Sequence, residues 1–343
     1  MPTIDRRAHR GAFALAIAIS VAACSTSGSS AVAPSPGGTT SGSPPSGSPP
    51  SGATCGTAPT PSDTTVWGPP ATTPTLLPVL VTNYVACGRA RIMFLYLDAS
   101  NAVASAPDRT ATVAFYDLGR DPDKVVATAD GAFVWTTQDE RGMYILDVEL
   151  PEAGVWGAEF TTEAPGSAAE TVRLTFEVHD TSPTVAVGSP APASKTPTLA
   201  DVGGDIARIS TDLNPDRAFY TTSVADALAE HQPFVLVFAT PKFCASAQCG
   251  PTLDRLKPLA AAHPDVTFIN VEPYKLQEVD GQLQPVLDAN GSLQATDITN
   301  AWGLLTEPWI FAVDRAGIVR GSFELIASDA ELDVVLAEIA AGG

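Results

Sequence analysis

The chain has 343 residues, with 19 Lys and Arg against 38 Asp and Glu, and a formal net charge of −19. That length allows two ordinary domains beyond any leader. No basic patch with interleaved aromatics breaks the acidity, which excludes nucleic acid and anionic lipid headgroups as partners of the folded body.

The N-terminus reads as an export signal. Arg6, Arg7 and Arg10 precede an apolar run over 11–23, which is too short for a span of about 20 residues. The run ends in Val21-Ala22-Ala23-Cys24. Small residues before a cysteine resemble the lipobox of bacterial lipoproteins, although Val stands where Leu is commoner. That resemblance implies a signal peptide over 1–23, lipidation of Cys24 and a location on the extracytoplasmic face of the cell membrane. Residues 24–74 are rich in Ser, Gly, Pro and Thr and predict a disordered tether. Forty such residues reach about 35 Å, enough to lift a folded body off a membrane.

Four cysteines remain after Cys24: Cys55, Cys87, Cys244 and Cys249. In an oxidising compartment they invite two bridges. Of the three connectivities, Cys55–Cys87 as a structural staple and Cys244–Cys249 is the simplest.

Residues 75–182 predict an all-β sandwich. Alternating or apolar stretches at 89–97, 110–117, 131–137, 143–150, 155–161 and 171–179 are separated by Gly/Pro/Asp turns. The pair Gly142-Met143-Tyr144 and Gly154-Val155-Trp156 resembles strand pairs of bacterial immunoglobulin-like modules. Trp135 and Trp156 read as core aromatics. His179 has no second His or Cys near it in sequence.

Residues 183–343 begin with a proline-rich linker and then read as α/β. Helical stretches are predicted at 224–230, 251–262, 298–304 and from Ser328 to Ile339, the last with Ser328 and Glu331 as a capping box. Buried strands are predicted at 234–239, 265–271, 309–314 and 318–324. Between them, 273–297 carries Asp280-Gly281 and Asn290-Gly291, which are hairpin turn signals.

Two motifs carry chemistry. The run Phe234 to Phe238 leads into Lys242-Phe243-Cys244-Ala245-Ser246-Ala247-Gln248-Cys249-Gly250-Pro251, and Glu307-Pro308 stands immediately before the predicted hairpin. Together with Val187-Gly188-Ser189-Pro190-Ala191-Pro192, these resemble the thioredoxin-like superfamily, including thioredoxins and TlpA-type lipoprotein reductases. The four-residue spacing between the cysteines is like that of one class of peroxiredoxins. The resemblance implies an α/β thioredoxin-like domain with catalytic Cys244 and Cys249. Pro308, in a cis peptide, and Glu307 would lie at the substrate-binding position. Its activity would be thiol–disulfide exchange with protein thiols or disulfides of exported proteins, with no cofactor and no metal.

Departures from the family patterns matter. On one regular helix, residues five apart have Cα atoms about 8.5 Å apart, beyond the ~7 Å that a disulfide allows. Gly250-Pro251 is a favourable helix start, so Cys244 is expected in the preceding loop. The activating residues of peroxiredoxins are missing: position 241 is Pro, 237 is Val, and Glu307 stands near the expected arginine. Copper-delivery relatives use a shorter spacing and a histidine; His231 and His263 flank other elements here. Either cysteine can be the nucleophile. Cys244 has Lys242 near it in sequence, whereas Cys249 begins a Cys-Gly-Pro. A non-catalytic binding module with a structural 244–249 bridge, and a weak thiol peroxidase, are the competing functions. Redox direction, partner and oligomeric state are open at this level.

Overall fold

Alternation along the chain becomes strands wherever one face can be buried. The computed structural model describes residues 55–68 and 73–342, so the predicted signal peptide and Cys24 lie outside the described residues. In chain order the first ten strands are β1 (Gly56–Thr57), β2 (Leu76–Leu80), β3 (Val85–Ala86), β4 (Gly88–Asp98), β5 (Thr110–Asp117), β6 (Val125–Asp130), β7 (Ala132–Thr137), β8 (Arg141–Leu150), β9 (Glu152–Glu163) and β10 (Glu170–His179). They form two sheets, one ordered β3-β10-β9-β5-β6 with β1 beside the start of β9, the other β2-β4-β8-β7.

The two sheets share one core. Ile92, Phe94 and Tyr96 of β4 point to the same face, as period two demands, and pack with Phe115 of β5, Tyr144 of β8 and Phe160 of β9. Phe94 lies 5.0 Å from Phe160 in an edge-on contact and 5.4 Å from Tyr144. Trp156 is fully buried in this core. Trp135 is only half-buried, and its carbonyl accepts a hydrogen bond from Arg255.

Residues 55–68, which composition assigned to the tether, lie against the sheet that contains β9 and β5. Cys55 and Cys87 are joined by a disulfide with Cα atoms 6.3 Å apart. β1 pairs with β9, and Trp67 is buried beside Tyr116 with its ring under the Arg173 guanidinium.

The C-terminal half contains α1 (Val224–Ala229), β11 (Phe234–Phe238), α2 (Cys249–Ala262), β12 (Thr267–Val271), β13 (Leu276–Val279), β14 (Gln282–Pro285), α3 (Asp297–Ala301), β15 (Trp309–Val313), β16 (Val319–Glu324) and α4 (Asp329–Ala341). One sheet runs β12-β11-β15-β16, with β11 parallel to β12 and antiparallel to β15. Every residue of β11 is buried because both faces are covered. Val235 and Val237 meet Leu253 and Leu256 of α2 and Leu336 of α4. Phe234, Leu236 and Phe238 meet Val224 of α1 and Trp302. The turn Asp280-Gly281 joins β13 to β14 with positive φ at both residues, 52° and 73°.

The outer face of the β4-β8-β7 sheet is covered too. Met93, Val134, Met143 and Ile145 pack against Ile326, in the turn between β16 and α4. The described residues accordingly form one compact unit.

The sequence expectation of a multidomain chain, an immunoglobulin-like sandwich followed by an α/β thioredoxin-like domain, is corrected. The described chain is predominantly β, with sixteen strands against four α-helices, only two of which exceed six residues. Membership of the thioredoxin-like superfamily, drawn from the cysteine spacing and Glu307-Pro308, is withdrawn with it. The physical reason is that such motifs specify a turn, a helix start and a hairpin entrance. They do not specify how strands distribute among layers. Among the described residues, no helix is long and apolar enough to cross a membrane.

Candidate redox site

Cys244 and Cys249 form a disulfide with Cα atoms 6.1 Å apart. The end of β11 delivers the chain into a turn, and α2 begins at Cys249. Cys244 therefore lies outside the helix, as Gly250-Pro251 led us to expect. The four intervening residues fold tightly, and Ala247 takes a left-handed φ of 61°, uncommon for a residue with a Cβ.

The two sulfurs have different surroundings. Cys249 is fully buried against the α2 core, whereas Cys244 is half-buried. The Cys249 N–H, at the first residue of α2, donates to Cys244 Sγ at 3.2 Å. An N–H and a helix N-terminus both favour negative charge on that sulfur. The Ser246 hydroxyl is 3.3 Å from it.

Glu307 closes the other side. It is buried, and one carboxylate oxygen accepts the Ala245 N–H at 3.0 Å while its carbonyl accepts the Ser246 hydroxyl at 3.0 Å. Its second oxygen accepts the Tyr274 hydroxyl. Burial first, and then this bond to Glu307, push the Tyr274 hydroxyl pKa well above the usual phenol range. The Glu307 carboxylate and both sulfurs lie within 4.8 Å of one another, so its charge opposes thiolate formation.

Pro308 follows a cis peptide bond, and its carbonyl accepts the Leu325 N–H at 2.8 Å. Lys242, which sequence proximity offered as an activator of Cys244, is directed elsewhere. Its Nζ donates to the Leu283 carbonyl at 3.1 Å and lies 3.4 Å from Gln282 Oε1, tying the cysteine loop to the β13–β14 hairpin. Sequence reasoning missed Tyr274 and Ser246. Tyr274 follows β12 by three residues in Val-Glu-Pro-Tyr, and nothing in that spacing signals a partner 33 residues on.

A pocket of about 530 Å³ adjoins this site through Tyr274, and its walls include Arg208, Asn270, Glu272 and Lys275. Burial raises the Glu272 carboxyl above its ordinary pKa, against the hydrogen bonds it accepts from Thr211. Cys55 and Cys87 are remote in sequence from the site and tie residue 55 to the segment between β3 and β4.

No protein-family model matches the chain, and no curated protein matches its sequence. Among solved structures, a DUF4426 family protein from Pseudomonas aeruginosa PAO1 is similar at 12% identity, covering 27% of this chain and 76% of that one, with a TM-score of 0.20. MtrC from Shewanella baltica OS185 is similar at 11% identity, covering 56% of this chain and 33% of that one, with a TM-score of 0.22. The present chain thus spans about a third of the length of MtrC.

Proposed function

We propose that this chain exchanges disulfides with exported proteins through Cys244 and Cys249, while a lipid on Cys24 holds it at the extracytoplasmic face of the membrane. The observation that carries the reading is the asymmetry of the pair. Cys244 is the accessible sulfur and receives the Cys249 N–H at a helix start; Cys249 is buried and can only resolve. An incoming substrate thiolate attacks Cys244 Sγ, the bond to Cys249 breaks, and Cys249 leaves as a thiolate that takes up a proton. The substrate's second thiol then loses its proton and attacks the mixed disulfide. Substrate leaves oxidised, and the pair is left as a dithiol; the reverse sequence reduces a substrate disulfide. Glu307 and Pro308 flank the approach, and their role in holding substrate belongs to the same reading.

Full burial of Cys249 favours a second reading, in which the 244–249 bridge is structural and the surface binds a partner without chemistry. Equilibration of the protein across glutathione redox buffers, with thiols counted at each ratio, separates the two. A potential milder than about −300 mV supports exchange. A lower one, resistant to the glutathione pool, overturns it in favour of the structural bridge.

A further inference from the structure

Reduction of the 244–249 bridge frees two ligand atoms beside a buried carboxylate. Cys244 Sγ, Cys249 Sγ and a Glu307 oxygen all lie within 4.8 Å of one another. A tetrahedral zinc ion at about 2.3 Å from sulfur and 2.0 Å from oxygen needs ligand separations of about 3.5–3.8 Å. Shifts on the order of 1 Å close the set.

The three ligands come from three anchored places: the loop after β11, the first residue of α2, and the residue two before β15. The Glu307 carboxylate is oriented by Ala245 N–H and Tyr274 hydroxyl, the kind of outer partner that fixes a metal ligand. Cys249 and Glu307 are buried while Cys244 is half-buried, which leaves one side accessible for a fourth ligand from solvent. Two thiolates beside a carboxylate would place three negative charges in a small, partly dry volume. A divalent cation relieves that repulsion. Two soft sulfurs with one hard oxygen suit borderline Zn²⁺ better than Cu(I) or a hard cation.

We propose that the reduced form binds one Zn²⁺ through Cys244, Cys249 and Glu307, and that oxidation of the two thiolates back to the disulfide by a substrate disulfide, which takes up two protons and leaves as two thiols, expels it. A trialkylphosphine and water convert the disulfide to two thiols, the phosphine leaving as its oxide. Zn²⁺ then displaces the two thiol protons, which pass to solvent. The inference rests on the proposed exchange reading only in requiring that the bridge can be reduced.

Zinc titration of the full-length chain against a chromophoric chelator, before and after phosphine treatment and with thiols counted in each sample, tests it. The expected result is zinc binding to the reduced chain that exceeds the oxidised chain's by one ion per molecule. That ion is lost in Cys244→Ser and held about 10–100-fold more weakly in Glu307→Gln. Phosphine also opens the Cys55–Cys87 disulfide, but alike in the natural chain and in every variant, so the difference between variant and natural chain reports this site. Equal binding by Glu307→Gln and the natural chain, or by oxidised and reduced chains, would overturn the proposal. Free thiols at 244 and 249 without zinc would defeat the metal site while leaving thiol exchange standing. A potential below about −300 mV would defeat exchange while leaving the zinc result to be judged after phosphine reduction.

Discussion

The guanidinium of Arg91 on β4 grips the carboxylate of Glu331 on α4 with two hydrogen bonds, of 2.6 and 3.1 Å. A third bond, of 2.6 Å, runs from the same side chain to the Ile326 carbonyl. Both side chains are largely covered, at 15% and 24% exposure. This pair joins the outer face of the N-terminal sheet to the final helix, above the apolar contact of Met93, Met143 and Ile326. Asn83 adds a 2.7 Å bond to Glu324, and Arg255 bonds both the Ala327 and Trp135 carbonyls.

Arg91→Met is expected to cost about 2 kcal/mol at neutral pH, because it leaves a partly buried carboxylate without its partner. Burial raises the Glu331 carboxyl, but the bonds and charge of Arg91, followed by Ser328, bring it below its ordinary value. A carboxyl lowered in the folded state contributes fully above its unfolded pKa, and that contribution is lost as pH falls through the folded pKa. The difference between variant and natural chain should therefore shrink on acidification below the ordinary carboxylate range. Urea melts at neutral and acidic pH check it. A difference that grows toward acid would contradict the assignment.

Trp67→Ala should destabilise the chain by about 3 kcal/mol, since the ring is buried against Tyr116 and lies under Arg173. A free tether would lose nothing. Thermal melts of the variant, with limited proteolysis near 55–68, distinguish the two outcomes.

Tyr274→Phe removes one donor from Glu307 while preserving the ring that lines the pocket. The less stabilised carboxylate should act more strongly on the neighbouring sulfurs. The alkylation profile of the reduced Cys244 thiol is then expected to move to higher pH, with little change in overall stability. Rates of iodoacetamide reaction across pH 6–10 report it. An unmoved profile would detach Tyr274 from the Cys244–Cys249 pair.

Lipidation of Cys24 predicts incorporation of labelled palmitate in a bacterial host and its loss in Cys24→Ala. Equal labelling of both forms would remove the anchor from the proposed function.

Several local features were legible because neighbours in sequence decide them. Asp280-Gly281 turns a hairpin because a type I′ turn needs two positive φ values. Ser328 and Glu331 cap α4 reciprocally, as their three-residue spacing implied. Strands β4, β5, β8 and β10 lie close to where alternation placed them, and both disulfides follow the simplest pairing. β2 and β6 escaped: β2 contains a proline, and β6 is a mostly exposed edge strand with a weak apolar signal.

The sequence by itself determined turns, caps and strand faces, since each depends on residues a few positions apart; among three disulfide connectivities it offered a simplest one, which the structure adopts. The tertiary structure alone decided the rest. It set the predominantly β architecture in place of the expected two-family chain. It docked 55–68 against the sheet containing β9 and β5, although its composition reads as tether. It turned Lys242 toward the hairpin and brought Tyr274 onto Glu307. It joined Arg91 to Glu331 across 240 residues. Those outcomes depend on which buried faces find one another. Side chains distant in sequence carry no periodic or spacing signal of that choice, because the free energy that selects it arises only when the faces meet and exclude water.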